Sequence, residues 1–309
     1  MKRLLLAYDG TPCADVALED LLLAGLPADL EALVLSIADV WLPADPYEIA
    51  PGLSEAGSAA LLRARERALG AVEEGRKLAE RARERAQALF PKWRIGAEAL
   101  GDSPAWGIVK RAEAWRADLI ALGSHGRSTL DRILLGSVSH KVASEAHCSV
   151  RIARPRRRPG DTRLRVIVAV DGSLGAEAAV AAVVARRWPE SAEFQIAAVA
   201  DSRLETALPW PAVYAHRWMR DCDCGAREGV DRMLEDAAGR LRDAGLAVET
   251  RCLCGDPKQE LLQQVESWEA DAIFLGAQGL HRGGRRALGT MASAIAARAA
   301  CTVEVVRAD

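Results

Sequence analysis

The residues best suited to chemistry in this chain form two matched sets. One is Gly123-x2-Gly126-x9-Gly136-Ser137, the other Gly276-x2-Gly279-x9-Gly289-Thr290. The first two glycines of each set admit positive φ and close backbone approach to a ligand. The Gly-Ser or Gly-Thr pair opens a helix, whose free N–H groups and dipole favour an anion, with the hydroxyl as one more donor. Arg127 in the first set, and Arg282, Arg285 and Arg286 in the second, supply positive charge. An acid precedes each set: Asp9 in LLLAYDGT and Asp171 in VIVAVDGS, each closing an apolar run. One such set alone reads equally well as an N-cap with ordinary loop glycines. Two with the same spacing, each behind an Asp-Gly-[Ser/Thr], point to a phosphate cradle built twice.

Other chemistry is thinner. The chain has no G-x4-G-K-[ST] loop, no G-x-S-x-G elbow and no H-E-x-x-H. His125 has the type for a base near phosphates, although a loop histidine more often caps or packs, and the second set has Gln278 there. Cys222-x-Cys224 and Cys252-x-Cys254 offer four thiols, the number tetrahedral zinc takes. Their C-x-C spacing departs from the usual C-x2-C knuckle, and cysteine is a common small core residue, so packing is expected and zinc is the alternative. Seven cysteines, an odd number, fit thiols better than a disulfide framework.

Strands and helices must carry these residues. In the first half, strands are expected at 3–8, 31–38, 93–99, 118–122 and 149–153. Helices are expected from Pro12 through Gly25 and over 59–90, 104–116 and 137–147. The long helix shows a stripe of Ala68, Val72, Ala79, Ala82, Ala86 and Leu89, interrupted by Gly70 and Gly75. Alternating strands and helices imply a parallel sheet with right-handed crossovers. Runs such as VIVAV lack polar alternation and fit strands covered on both faces. In such sheets ligands sit beyond the carboxyl ends of the strands, where Asp9, Asp171 and the glycine sets fall.

The second half repeats the first. Asp118, Gly123, Gly126, Gly136 and Cys148 recur 153 residues on as Asp271, Gly276, Gly279, Gly289 and Cys301. Asp9 and Asp171 are 162 apart. The division expected is a first α/β domain over 1–154, an Arg/Pro-rich linker over 155–163 read as solvated, and a second domain over 164–309. The chain has 309 residues and a formal net charge of −2, which gives no case for nucleic-acid binding. Its apolar runs are far short of the roughly 20 residues a membrane helix needs, and MKRLLLAYDG is too short for a signal peptide, so a cytoplasmic protein is expected. Trp93, Trp106, Trp115, Trp188 and Trp268 read as core or groove fillers, and Trp41, Trp210 and Trp218 as candidates for a lid.

On these motifs the chain resembles the universal stress protein family in its tandem form, and both halves match the G-x2-G-x9-G-[ST] of its ATP-binding subgroup. The Gly-Asp turns at 101–104 and 255–257 and the GSHGRS string at 123–128 also match. The resemblance implies two Rossmann-like domains of the adenine nucleotide alpha hydrolase-like kind, each a five-stranded parallel sheet flanked by helices. It implies that Asp9 and Asp171 lie against adenosine, and that Ile37 and Val199 offer backbone to the adenine. Gly123, Gly126, Gly136, Gly276, Gly279 and Gly289 would follow ribose and phosphates. Ser137, Val138, Ser139, Thr290 and Met291 would open the phosphate-facing helices, with Arg127 nearby. The ligand implied is ATP or another adenine nucleotide, with Mg bridging phosphates and solvent. The last strands would pair within the chain as an internal pseudo-dimer, with a homodimer of chains also open. The function implied is a stress-response regulator with at most weak ATP hydrolysis. The alternatives are a slow ATPase or nucleotidyl-transfer enzyme, or a metal-responsive interaction module with a degenerate second site, since Ala292 replaces Ser139.

Overall fold

β1 (Arg3–Ala7) is an apolar run whose Leu4, Leu5 and Leu6 are buried, as a strand covered on both faces must be. It turns at Asp9-Gly10 into α1 (Pro12–Asp20), whose Thr11 cap accepts the Ala14 N–H and whose Pro12 needs no hydrogen bond. α1 stops short of Gly25, because Leu21–Leu23 tighten into a 3-10 turn. The first unit continues with β2 (Glu31–Asp39), α2 (Glu55–Leu89), β3 (Arg94–Asp102), α3 (Pro104–Trp115), β4 (Leu119–Gly123), α4 (Ser137–Glu145) and β5 (Ser149–Ala153). The second unit has β6 (Leu164–Ala169), α5 (Leu174–Val184), β7 (Ala192–Ala200), α6 (Ala226–Asp243), β8 (Ala247–Cys254), α7 (Pro257–Ser267), β9 (Ala272–Gly276), α8 (Thr290–Arg298) and β10 (Thr302–Val306). This computed structural model describes residues 1–42, 55–125, 135–156, 158, 160–200, 226–279 and 288–308.

Within each unit the strands are parallel, in the orders β3-β2-β1-β4-β5 and β8-β7-β6-β9-β10. β5 and β10 then pair antiparallel, so the two sheets fuse into one of ten strands. The expected pairing of 149–153 with 302–306 is thus present, and the whole sheet is mixed rather than parallel. One face of it carries a single core that runs through both units, from Leu5 and Ile120 through Val150 and Val303 to Ile167. The other face carries a separate core in each unit.

The stripe expected on the long helix needs correction. On α2, Ala68, Ala79, Ala82 and Ala86 are buried, but Leu89 is exposed, and Gly75 belongs to the buried side. A side chain at Gly75 would stand 3.3 Å from the Ser36 hydroxyl, so the glycine lets the helix lie close on β2. The segment between the units is exposed at Pro155, Gly160, Thr162 and Arg163, and it is anchored at other described residues. Arg156 forks onto Asp271, at 2.9 and 3.1 Å, and Arg158 pairs with Asp161 and Glu269. Arg154 is buried. Among the tryptophans, Trp93 is buried and stacks on Phe90, whereas Trp106 is exposed on α3 beneath Lys141.

Two candidate ligand crevices

The strand order places a topological switch between β1 and β4 in the first unit and between β6 and β9 in the second. From β1 the chain moves outward to β2 and β3, then crosses back to the other side of β1 for β4, and the connections diverge at the carboxyl ends. β1 pairs with β2 as far as Ala7–Leu35, and the Tyr8 N–H reaches the Leu35 carbonyl. β2 then runs on to Asp39 paired only with β3. The Ile37 backbone edge that faces β1 therefore lies beyond the last β1 pair, at the crevice. Val199 repeats this, since β6–β7 pairing ends at Ala169–Ala197 and β7 continues beside β8.

The strand-ending acids form the turns that start α1 and α5. Asp9 accepts the Thr11 N–H at 3.0 Å and its hydroxyl at 2.7 Å, and Asp171 accepts the Ser173 N–H at 3.0 Å. Gly10 and Gly172, both at φ +78°, make these turns possible. They carry the positive φ that the glycine sets were expected to supply; Gly123, Gly276, Gly279 and Gly289 do not. What Gly123 and Gly276 provide is room. A Cβ on Gly123 would fall 2.6 Å from the Cys13 carbonyl oxygen, and one on Gly276 would fall 2.5 Å from the Gly175 carbonyl carbon. The first turn of each unit's first helix thus packs backbone to backbone over the end of the fourth strand. Sequence reading singled out neither Gly10 and Gly172 nor Cys13 and Gly175, although the shared Asp-Gly-[Ser/Thr] was a signal for the turn.

Gly136 and Gly289 cap α4 and α8 in extended conformation, with φ −61° and −62°, and among the described residues no side-chain cap bond is made there. Ser137 and Thr290 are exposed at these openings, Val138 and Met291 are half-buried. Ser139 is buried and donates to the Gly123 carbonyl at 2.8 Å, so its hydroxyl ties the helix to β4. Ala292 is its buried counterpart. Gly126 and Arg127 lie outside the described residues, as do Arg282, Arg285, Arg286, Trp210 and Trp218.

The two crevices differ in their loops. In the first, the Ser124 hydroxyl and His125 Nδ1 lie 3.0 Å apart, and buried Nε2 has no partner among the described residues. Burial, and then the Arg154 guanidinium, push the His125 pKa below its ordinary value. In the second, Ser173 donates to the Gln278 carbonyl at 3.4 Å, and a Cβ on Gly279 would meet Asp171 Oδ2 at 2.7 Å. The loop backbone there lies against the acid.

Cys148 and Cys301 are buried repeat equivalents whose thiols burial pushes up to about 12. Cys252 is half-buried and Cys254 exposed on β8, while Cys222 and Cys224 lie outside the described residues. Among the described residues no group of three or more metal-ligating side chains occurs, and no helix is long and apolar enough to cross a membrane.

The fold defines a duplicated, doubly wound α/β protein with one candidate crevice per repeat. The profile of the universal stress protein family matches residues 1–154 and 162–307, and the chain belongs to that family. A universal stress protein from Thermus aquaticus is 33% identical over 153 residues, covering 50% of this chain and 98% of that protein. One from Methanocaldococcus jannaschii is 38% identical over 88 residues, which is 28% of this chain and 49% of that protein. Among solved structures, a universal stress protein from Archaeoglobus fulgidus aligns at TM-score 0.57 and 21% identity, covering 99% of this chain and 96% of that one. A functionally unknown protein from Pseudomonas aeruginosa PAO1 aligns at TM-score 0.60 and 14% identity, covering 100% and 93%. At such identities the likeness speaks for the fold alone.

Proposed function

We propose that the chain is a stress-response regulator that binds an adenine nucleotide, ATP first among them, in each of its two crevices. The observation that carries this reading is the repeated convergence at a switch point. A strand-ending Asp, the free β2 or β7 backbone edge at Ile37 or Val199, and an uncapped helix opening at Ser137 or Thr290 face one crevice. Acid and backbone edge suit a nucleoside, and the helix N–H groups with an exposed hydroxyl suit its phosphates. Ser139 is engaged with the Gly123 carbonyl, so Ser137 is the hydroxyl offered in the first unit. Mg would be held by the phosphates and water rather than by an acidic cluster.

The second crevice binds more weakly in this reading, because the Gln278–Gly279 backbone must leave Asp171 and Ser173 to admit a ligand. Titration of ATP into the purified chain, followed by heat, should resolve two sites of unequal affinity. No heat at millimolar ATP would remove the nucleotide reading, and a single site would remove its second half. One observation favours slow hydrolysis as the second reading: the buried Nε2 of His125, which has no partner among the described residues. No phosphate release at saturating ATP would dismiss hydrolysis, and release that survives His125→Gln would dismiss the histidine's part in it.

A further inference from the structure

Arg151 and Glu304 stand directly opposite each other in the antiparallel register of β5 and β10. They are also repeat equivalents, since 304 − 151 = 153, the offset that relates the last strands. The pseudo-two-fold axis of the molecule therefore passes between them. Arg151 donates to Glu304 at 3.0 Å and forks onto Asp20 at 2.5 and 3.2 Å. Glu304 takes a second fork, from Arg186. Side-chain exposures of 7%, 1%, 0% and 3% along Asp20, Arg151, Glu304 and Arg186 put all four charges out of solvent. Surrounding groups add further bonds: the Thr302 hydroxyl donates to Asp20 at 2.8 Å, and Arg186 donates to the Ala24 carbonyl at 2.9 Å. Phe274 lies 4.9 Å from the Arg186 guanidinium and 5.9 Å from that of Arg151.

None of these residues is shared between the repeats. Ala182 stands where the first unit has Asp20, Ala24 where the second has Arg186, and Ala121 where the second has Phe274. The frame around them keeps its symmetry. The Arg154 N–H donates to the Thr302 hydroxyl at 3.1 Å, and the equivalent Arg307 N–H to the Ser149 hydroxyl at 3.2 Å. The frame alone would accept a second copy of either unit. The centre would not. Across the seam the charges run minus, plus, minus, plus. A first unit against another first unit would set minus, plus, plus, minus, with two arginines directly opposed. Two second units would oppose two glutamates in the same way. Like charges directly opposite on paired strands are destabilising, and far more so when buried.

The geometry points to a pairing-specificity device: the alternating charge order at the seam commits the first unit to the second and rejects like-with-like pairing with a second copy of this chain. An edge strand otherwise pairs readily with any compatible strand, and a repulsive element is the usual remedy.

Charge reversal in the full chain tests this. Asp20→Arg with Arg151→Glu reverses the first unit only; Arg186→Glu with Glu304→Arg reverses the second only. Each leaves the pair inside its own unit opposite in sign but sets like charges across the seam. Each should lower Tm by about 5 °C or more and speed proteolytic cutting within 155–163 at least tenfold. The fourfold variant carries twice the substitutions yet restores alternation, so it should regain at least half of the lost Tm. A fourfold variant no more stable than the pairs, or pairs matching the unsubstituted chain, overturns the proposal.

A milder reporter asks nothing of reversed charges. Val150→Cys with Ile152→Cys puts thiols that face Val305 and Val303 in the native register, but face each other across chains when two first units pair about position 151. Oxidation should give no interchain dimer in this form. It should give dimers once Asp20→Asn, Arg151→Met, Arg186→Met and Glu304→Gln neutralise the seam. Equal yields in the two backgrounds, or none in either, count against the proposal.

Discussion

Gly123 illustrates how an absent side chain shapes a candidate site through backbone packing. Its missing side chain leaves space for the Cys13 carbonyl, and so sets how closely α1 approaches the end of β4. Gly123→Ala should therefore cost about 1–3 kcal/mol of stability, by overpacking against backbone that has no rotamer to yield. It should also weaken nucleotide binding in the first crevice and leave the second unaltered; thermal melts and site-resolved titration read the two effects. His125 makes a different prediction, in pH. Its folded-state pKa lies below the ordinary value of about 6.5, so the unfolded chain binds the proton more readily. The stability it contributes is present above about pH 6.5 and is lost as pH falls through the folded value. Tm should fall between pH 7.5 and 5 by less in His125→Gln than in the unsubstituted chain, and an unchanged slope would refute the assignment.

α2 shows what a helix seated on a sheet requires and where reading stripes goes astray. Ala79, Ala82 and Ala86 are buried with Gly75 among them, and small residues are what let the helix axis come close. Ala82→Leu should destabilise by about 1–3 kcal/mol, whereas exposed Leu89→Ala should stay within about 0.5 kcal/mol; denaturant melts of the two variants check both. Most elements were legible because strands covered on both faces read as unbroken apolar runs, and because Pro12 marks a helix start. The strand ends that border the candidate crevices were legible as positions, because two copies of one motif mark them. Leu89 and Gly75 were misjudged because periodicity ranks hydrophobicity, while close packing on β2 selects small size. The charged seam was illegible, since Arg151 and Glu304 become neighbours only through the register of two strands far apart in sequence. One signal was available: each is a charge inside an apolar strand, and the two are one repeat apart.

At the scale of the whole molecule, each unit completes the other's last helix. Arg154 follows β5 and donates to the Ala296 and Cys301 carbonyls, in and just after α8. Arg307 follows β10 and donates to the Ala143 and Ser144 carbonyls in the last turn of α4, at 2.8 and 3.1 Å. Ala143 and Ala296 are repeat equivalents, so the exchange is reciprocal. The last carbonyls of a helix lack partners of their own and carry its negative dipole end, so a guanidinium there both satisfies and neutralises them. Because α4 and α8 also open at the two candidate crevices, the same helices join the seam at one end to those crevices at the other. Hydrogen bonds from a charged donor are worth about 1.5–3 kcal/mol, or roughly ten- to a hundredfold in an opening equilibrium. Arg154→Met should therefore raise amide hydrogen exchange by such a factor in β5 and β10 together, although the residue follows only one of them. Arg307→Met should do the same from the opposite side. Faster exchange confined to the strand that each arginine follows would show that the two units open independently and that the seam is not one cooperative structure.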